Sequence, residues 1–165
     1  MCGGKKIVNV VLNSNNKIAG GANNDATYTV DWSAILKDKT PYRMHWTYVG
    51  QSNVITAASK LAQVQVNFVM EQYTTSSGIG APTTFAIGGL RTNYVNGTIN
   101  YLFADDNNNP AIYLANRPYG NTFNVQILTN DNPPVLWKDN TAVTPVVNGN
   151  YILVLSFQEM GNGDE

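Results

Sequence analysis

The sequence predicts an all-β protein: an antiparallel two-sheet sandwich, built as a single jelly roll of about eight strands. Three observations point there. Bulky apolar residues recur at every second position in segment after segment. Turn residues punctuate those segments, and no stretch of decisive length carries the 3.6-residue period of a helix. Length then selects among sandwiches, because 165 residues exceed the ~100 of an immunoglobulin-like domain, whose Cys-Trp-Cys framework is also missing. The expected domain covers residues 1–160. Residues 161–165 form a tail with nothing to bury, expected to be disordered.

In chain order, Ile7 to Leu12 comes first, apolar on both faces except at Asn9. In the next candidate Tyr28, Val30 and Trp32 share one face and Thr29 and Asp31 the other. From Tyr42 to Tyr48 the even positions Tyr42, Met44, Trp46 and Tyr48 are bulky, alternating with Arg43, His45 and Thr47. Val64, Val66, Phe68 and Met70 repeat the pattern against Gln63, Gln65 and Asn67, and later Phe123, Val125 and Ile127 oppose Asn124 and Gln126. Each is a strand with one face in a core and one toward water.

Shorter candidates are Phe85 to Ile87, Tyr101 to Ala104 and Ala111 to Leu114. Tyr151 to Phe157 closes the series, interrupted only by Ser156. Like Ile7 to Leu12, it reads as a strand covered on both sides, within the sandwich or beneath a neighbouring subunit. Val54 to Leu61 places Ala57, Ala58 and Leu61 near helical spacing, over too short a span to decide. Gly20-Gly21, Asn96-Gly97, Asn109-Pro110, Pro133-Pro134 and Asn148-Gly149 are turn signals, and Asn96-Gly97 favours a type I′ hairpin. Long end loops are expected near residues 13–24, 74–84 and 129–149, where partner contacts are most easily encoded.

Composition limits function. Ten basic residues against eleven acidic ones give a net charge of −1, without the basic excess that nucleic-acid binding normally needs. No apolar run approaches the ~20 residues of a spanning helix, so membrane insertion is not expected. Met1-Cys2-Gly3-Gly4 is neither a signal peptide nor a myristoylation signal. One Cys excludes an internal disulfide framework and a Cys-rich zinc site, and one His removes most catalytic constellations. Charged residues make up 13% of the chain, about half the ~25% of ordinary domains. Twenty-three Asn and fifteen Thr stand in their place. Amides and hydroxyls lose less on desolvation than ions do and can re-form hydrogen bonds across a contact. The exterior is therefore suited to being covered by neighbours or polar ligands.

No catalytic, cofactor or metal residues are assigned. His45 has no GxSxG elbow to serve and reads as a solvent-facing or interface histidine. Asp105-Asp106-Asn107-Asn108-Asn109 opens like a calcium loop, but Pro110 and Asn116 stand where an EF-hand needs Gly and Glu. An acidic, amide-rich turn explains it without an ion. Asp31 and Glu71 cannot be placed as a carboxylate pair, and Gly78-Ile79-Gly80 and Gly88-Gly89 lack the lysine of a phosphate loop. Two residues remain as candidate partner or glycan contacts. Trp137 stands beside Lys138 and after Pro133-Pro134, outside the alternating runs. Asn96 lies in the single glycosylation sequon, Asn96-Gly97-Thr98, which a hairpin turn also explains.

Several segments together resemble small capsid-associated proteins of large icosahedral double-stranded DNA viruses, especially those of algae. They are Val30-Asp31-Trp32-Ser33, Tyr42 to Tyr48, Tyr101-Leu102-Phe103-Ala104-Asp105 and Asn109 to Leu114. Asn116-Arg117-Pro118, Phe123 to Leu128 and Asn150-Tyr151-Ile152-Leu153 complete the set. The resemblance spans about residues 28–158. It implies a non-enzymatic minor capsid protein, at a vertex penton or cementing capsomers, made in the host cytoplasm and residing in the virion. It would take no cofactor, and its partners would be other capsid proteins and copies of itself. The alternative from another class is a carbohydrate-binding, lectin-like sandwich.

Overall fold

The computed structural model describes residues 6–19, 22–54, 61–70, 82–95, 98–105, 109–129, 136–137 and 149–161. Strands dominate: β1 (Ile7–Asn13), β2 (Asp25–Thr29), β3 (Tyr42–Val54), β4 (Ala62–Val69), β5 (Pro82–Val95), β6 (Thr98–Ala104), β7 (Ile112–Leu114), β8 (Tyr119–Thr129) and β9 (Tyr151–Glu159). Among the described residues one four-residue helix, α1 (Trp32–Ile35), and one 3₁₀ turn at Ser14–Asn16 interrupt them.

All strand pairs are antiparallel, in the order β1-β9-β3-β6-β5-β4-β8-β2, with β7 alongside the start of β3. The nesting of the pairs reveals the architecture. β4 pairs β5, β3 pairs β6, β2 pairs β8 and β1 pairs β9, as though one long hairpin had been rolled up. Two sheets result, β1-β9-β3-β6 and β2-β8-β4-β5, and this interleaved order is that of a jelly roll. β5 belongs to both. Its first part pairs β4 as far as Leu90, and from Arg91 it pairs β6, so one flank of the sandwich is closed by continuous backbone.

The predicted alternation is what fills the space between the sheets. Tyr42, Met44, Trp46 and Tyr48 of β3 are buried, as are Leu153, Leu155 and Phe157 of β9, Val64, Val66 and Phe68 of β4, and Phe123, Val125 and Ile127 of β8. α1 departs from the expected strand. Asp31 accepts hydrogen bonds from the Ser33 hydroxyl (2.6 Å) and the Ala34 N–H (3.3 Å) and turns the chain as an N-cap. Trp32 is thereby delivered into the core from a helix, with its ring 5.4 Å from Phe68, 5.5 Å from Phe123 and 5.4 Å from Phe157.

Other expectations need correction. Phe85 to Ile87 lies within a fourteen-residue strand, whose register against β4 shifts at a bulge opposite Val64/Gln65, so no single two-residue period runs its length. Gly88 sits at that bulge with φ +150°, where a Cβ would lie 2.7 Å from the Trp46 ring. The runs Ile7 to Leu12 and Tyr151 to Phe157 are covered on one side only within a single chain. Residues 82–84 belong to β5 rather than to an end loop. Of the helical candidate, Val54 ends β3 and residues 55–60 lie outside the described residues.

Candidate interaction surface

Cross-strand register decides which side chains share the outer face of the sheet β1-β9-β3-β6. Val49 stands between Ile152 and Phe103, Val11 is in line with Val154 and Thr47, Ile7 with Gln158, Arg43 and Tyr113, and Asn9 with Ser156 and His45. Tyr101, opposite Gln51, extends the face toward one end. Six of these are large apolar residues left open to water: Ile7, Val11, Val49, Tyr101, Tyr113 and Ile152, between 41% and 61% exposed. Val11, Ile152, Val49 and Tyr101 lie in neighbouring rows, and Ile7 and Tyr113 stand apart beyond the polar row of Asn9, Ser156 and His45. Single exposed apolar residues mean little, but a cluster such as the first four marks an interaction surface.

The opposite face, on β2-β8-β4, is built differently. Thr27, Asn124 and Asn67 form one row, and Asp25, Gln126 and Gln65 the next. Asp25 accepts from the Asn124 and Gln126 amides at 3.0 and 3.2 Å. One face therefore carries an apolar cluster among polar residues and the other an amide and hydroxyl ladder, and neither places ions in a row.

Charge is concentrated near one end. Arg43 lies 5.3 Å from the centre of the Tyr113 ring. Asp38 accepts from the Tyr119 hydroxyl (2.8 Å) and the Asn116 amide (3.1 Å), with the Arg117 Nε at 4.0 Å. The Tyr119 hydroxyl above all, then Asn116, holds the Asp38 carboxyl below the usual carboxylate range. Lys37 and Glu159 pair at 2.8 Å. These contacts tie α1 and the start of β3 to β8 and β9. Among the described residues no three His, Cys, Asp or Glu side chains gather as metal ligands would. No described helix is long and apolar enough to cross a membrane.

At the other end, Asn13, Asn15, Gln51, Asn150, Tyr101, Val49 and Ile152 line an open depression of about 270 Å³. Beneath it the Tyr28 and Tyr151 hydroxyls share a 2.8 Å hydrogen bond, and Tyr151 stacks on Tyr48 at 5.3 Å. Burial pushes all three phenols up from their ordinary value.

The two candidate contact residues have different outcomes. Trp137 is corrected: it is 3% exposed and belongs to the core. Leu136 bridges Leu128, the Trp137 N–H donates to the Ile127 carbonyl, and the Asn24 amide donates to the Trp137 carbonyl. This short segment lies against the end of β8 and its ring turns inward. Asn96 lies outside the described residues, although Val95 on β5 stands opposite Thr98 on β6. His45 is half-buried on the same outer face, in the polar row with Ser156 and Asn9. Asp31 is the cap of α1, and Glu71 lies outside the described residues. The surface residues that sequence reasoning did not single out are Val49, Tyr101, Tyr113 and Ile152. Ile152 lay in a run read as apolar on both faces, Tyr101 and Tyr113 in the shorter candidates, and Val49 just past the run from Tyr42 to Tyr48.

The strand order defines this chain as a single jelly roll. No protein-family model matches it, and no curated protein sequence does. A solved structure of desmodium yellow mottle tymovirus is similar over 100% of this chain and 94% of that one, with 12% identity and a TM-score of 0.27. That likeness is loose, and the fold stands on the strand pairing alone.

Proposed function

We propose that this chain is a non-enzymatic structural subunit of a virus shell, a minor capsid protein placed at a vertex penton or between capsomers. It works by packing against copies of itself and other shell proteins. The observation that carries this reading is the outer face of β1-β9-β3-β6, with its exposed apolar cluster around Val49 and Ile152, displayed on a rigid sandwich. Covering it gives about 1 kcal/mol for each half-exposed side chain, or about 6 kcal/mol for the six. Association itself costs about 4–15 kcal/mol, so one such contact is weak alone. Weak contacts suit a closed symmetric assembly, which repeats them until the shell is stable. The amide-rich opposite face supports the same role, since it can be covered without stripping water from ions.

The test is the location of the protein. It should be stoichiometric in purified particles, and Val49→Lys with Ile152→Lys should keep the circular dichroism spectrum while losing incorporation. A soluble monomer absent from particles overturns the proposal. A second reading rests on the depression where Tyr101 stands among Asn13, Asn15, Gln51 and Asn150, because a ring with surrounding amides suits a sugar. Binding on a glycan array that Tyr101→Ala abolishes, with no incorporation into particles, would favour it.

A further inference from the structure

The two ends of the strand order are not equivalent. β2 is one end, and its outer margin is covered: the Ile18 N–H donates to the Thr27 carbonyl at 2.8 Å and the Thr27 N–H to the Ala19 carbonyl at 3.0 Å. β1 is the other end, and among the described residues no segment pairs with its outer margin.

β1 also lacks the devices that protect an edge. Seven residues, Ile-Val-Asn-Val-Val-Leu-Asn, pair β9 in unbroken register, with no charge, proline or bulge. A seven-residue, uncharged and mainly apolar edge of this kind is a template for another strand. The Glu159 N–H donates to the Lys6 carbonyl, so positions 6, 8, 10 and 12 are the hydrogen-bonded partners of β9. Ile7, Asn9 and Val11 therefore direct their main-chain N–H and C=O groups outward.

We infer that β1 is a self-pairing site, and that two copies of this chain join through antiparallel β1 strands across a two-fold axis at Asn9. The sequence is self-complementary in that register. Asn9 meets Asn9 of the second copy and Ile7 meets its Val11, so amide faces amide and apolar faces apolar. Those three pairs have their open main-chain groups facing each other. On the inner side, half-buried Val8 comes opposite Val10, which extends the core. No like charges meet within the strand. The product is one continuous sheet, β6-β3-β9-β1 followed by the second copy's β1-β9-β3-β6.

This names a partner for the shell subunit proposed above, but it is read from the purified chain alone, so either idea can fail without the other. Sedimentation equilibrium of the full chain should give a mass of twice 18.0 kDa at high concentration. Asn9→Pro removes an outward N–H and leaves the β9 pairing intact, and Asn9→Lys places a charge at the axis. Each should weaken association at least tenfold with an unchanged circular dichroism spectrum. The two Cα atoms at position 9 would lie about 5.5 Å apart, within disulfide reach. In a Cys2→Ser background, Asn9→Cys should therefore cross-link copy to copy on mild oxidation, whereas Thr122→Cys on β8 should not. A monomer at millimolar concentration overturns the inference. So does an affinity unmoved by either folded variant, or equal cross-linking at positions 9 and 122.

Discussion

At Gly88 an added side chain would do harm in two ways. The φ of +150° there suits glycine, and an added Cβ would meet the Asn109 carboxamide at 2.5 Å and the Trp46 ring at 2.7 Å. Backbone strain of about 1–3 kcal/mol and an overpacking cost of similar size both apply, partly overlapping. Gly88→Ala should therefore destabilise the protein by about 2–4 kcal/mol, read as a lower urea midpoint at unchanged slope. The tyrosine trio makes a second prediction at this scale. Tyr28, Tyr48 and Tyr151 all have raised pKa values, so the folded state holds phenolic protons that the unfolded chain releases near pH 10. The stability from these neutral phenols is fully present below about pH 10 and is lost as pH rises above it. Tyr151→Phe with Tyr28→Phe should flatten that alkaline limb in urea titrations between pH 8 and 11.

At the scale of elements, α1 is a plug. It contributes one large side chain, Trp32, to a nest of three phenylalanines, and Trp32→Ala should cost about 3–5 kcal/mol while Trp32→Phe costs less. Its cap and its neighbour tune it to pH. The Ser33 hydroxyl lowers the Asp31 pKa, and Tyr119 lowers that of Asp38. A lowered carboxyl contributes stability above its unfolded value near 4, lost as pH falls through the lower folded value. Asp31→Asn and Asp38→Asn should each make the urea midpoint less sensitive to pH between 5 and 2.

Helix α1 was also hidden from the sequence. Tyr28, Val30 and Trp32 keep the i, i+2 phase of a strand, and four residues carry no helical period of their own. β3, β4, β8 and β9 were legible because each buries one face, so packing writes the two-residue alternation directly into residue type. β5 was not, since it changes sheet and carries a bulge. Trp137 was misread because its burial depends on the Leu136–Leu128 bridge, which local spacing does not encode.

For the whole molecule, the readable signal was composition as much as pattern. Low charge predicted an exterior that is cheap to cover, and the structure gathers exposed apolar residues on one face and amides on the other. The apolar runs in β1 and β9 told of that surface, but a chain read alone cannot say whether its own fold or another molecule does the covering. Because the apolar face carries few ions, self-association through it should change little between low and high sodium chloride. It should strengthen in sodium sulfate, which favours burial of apolar surface. Light scattering across both salt series checks this, and a steep loss of association with sodium chloride would contradict it.

The continuous path of β5 between the sheets has a consequence for how far growth can go. It joins the two sheets along one flank, and the Ile18–Ala19 segment shields the margin of β2, so of the two ends of the strand order β1 is the one left open among the described residues. A subunit with one adhesive rim forms couples and then stops. Growth into a ribbon needs both ends of the strand order open, and here the β2 end is already covered.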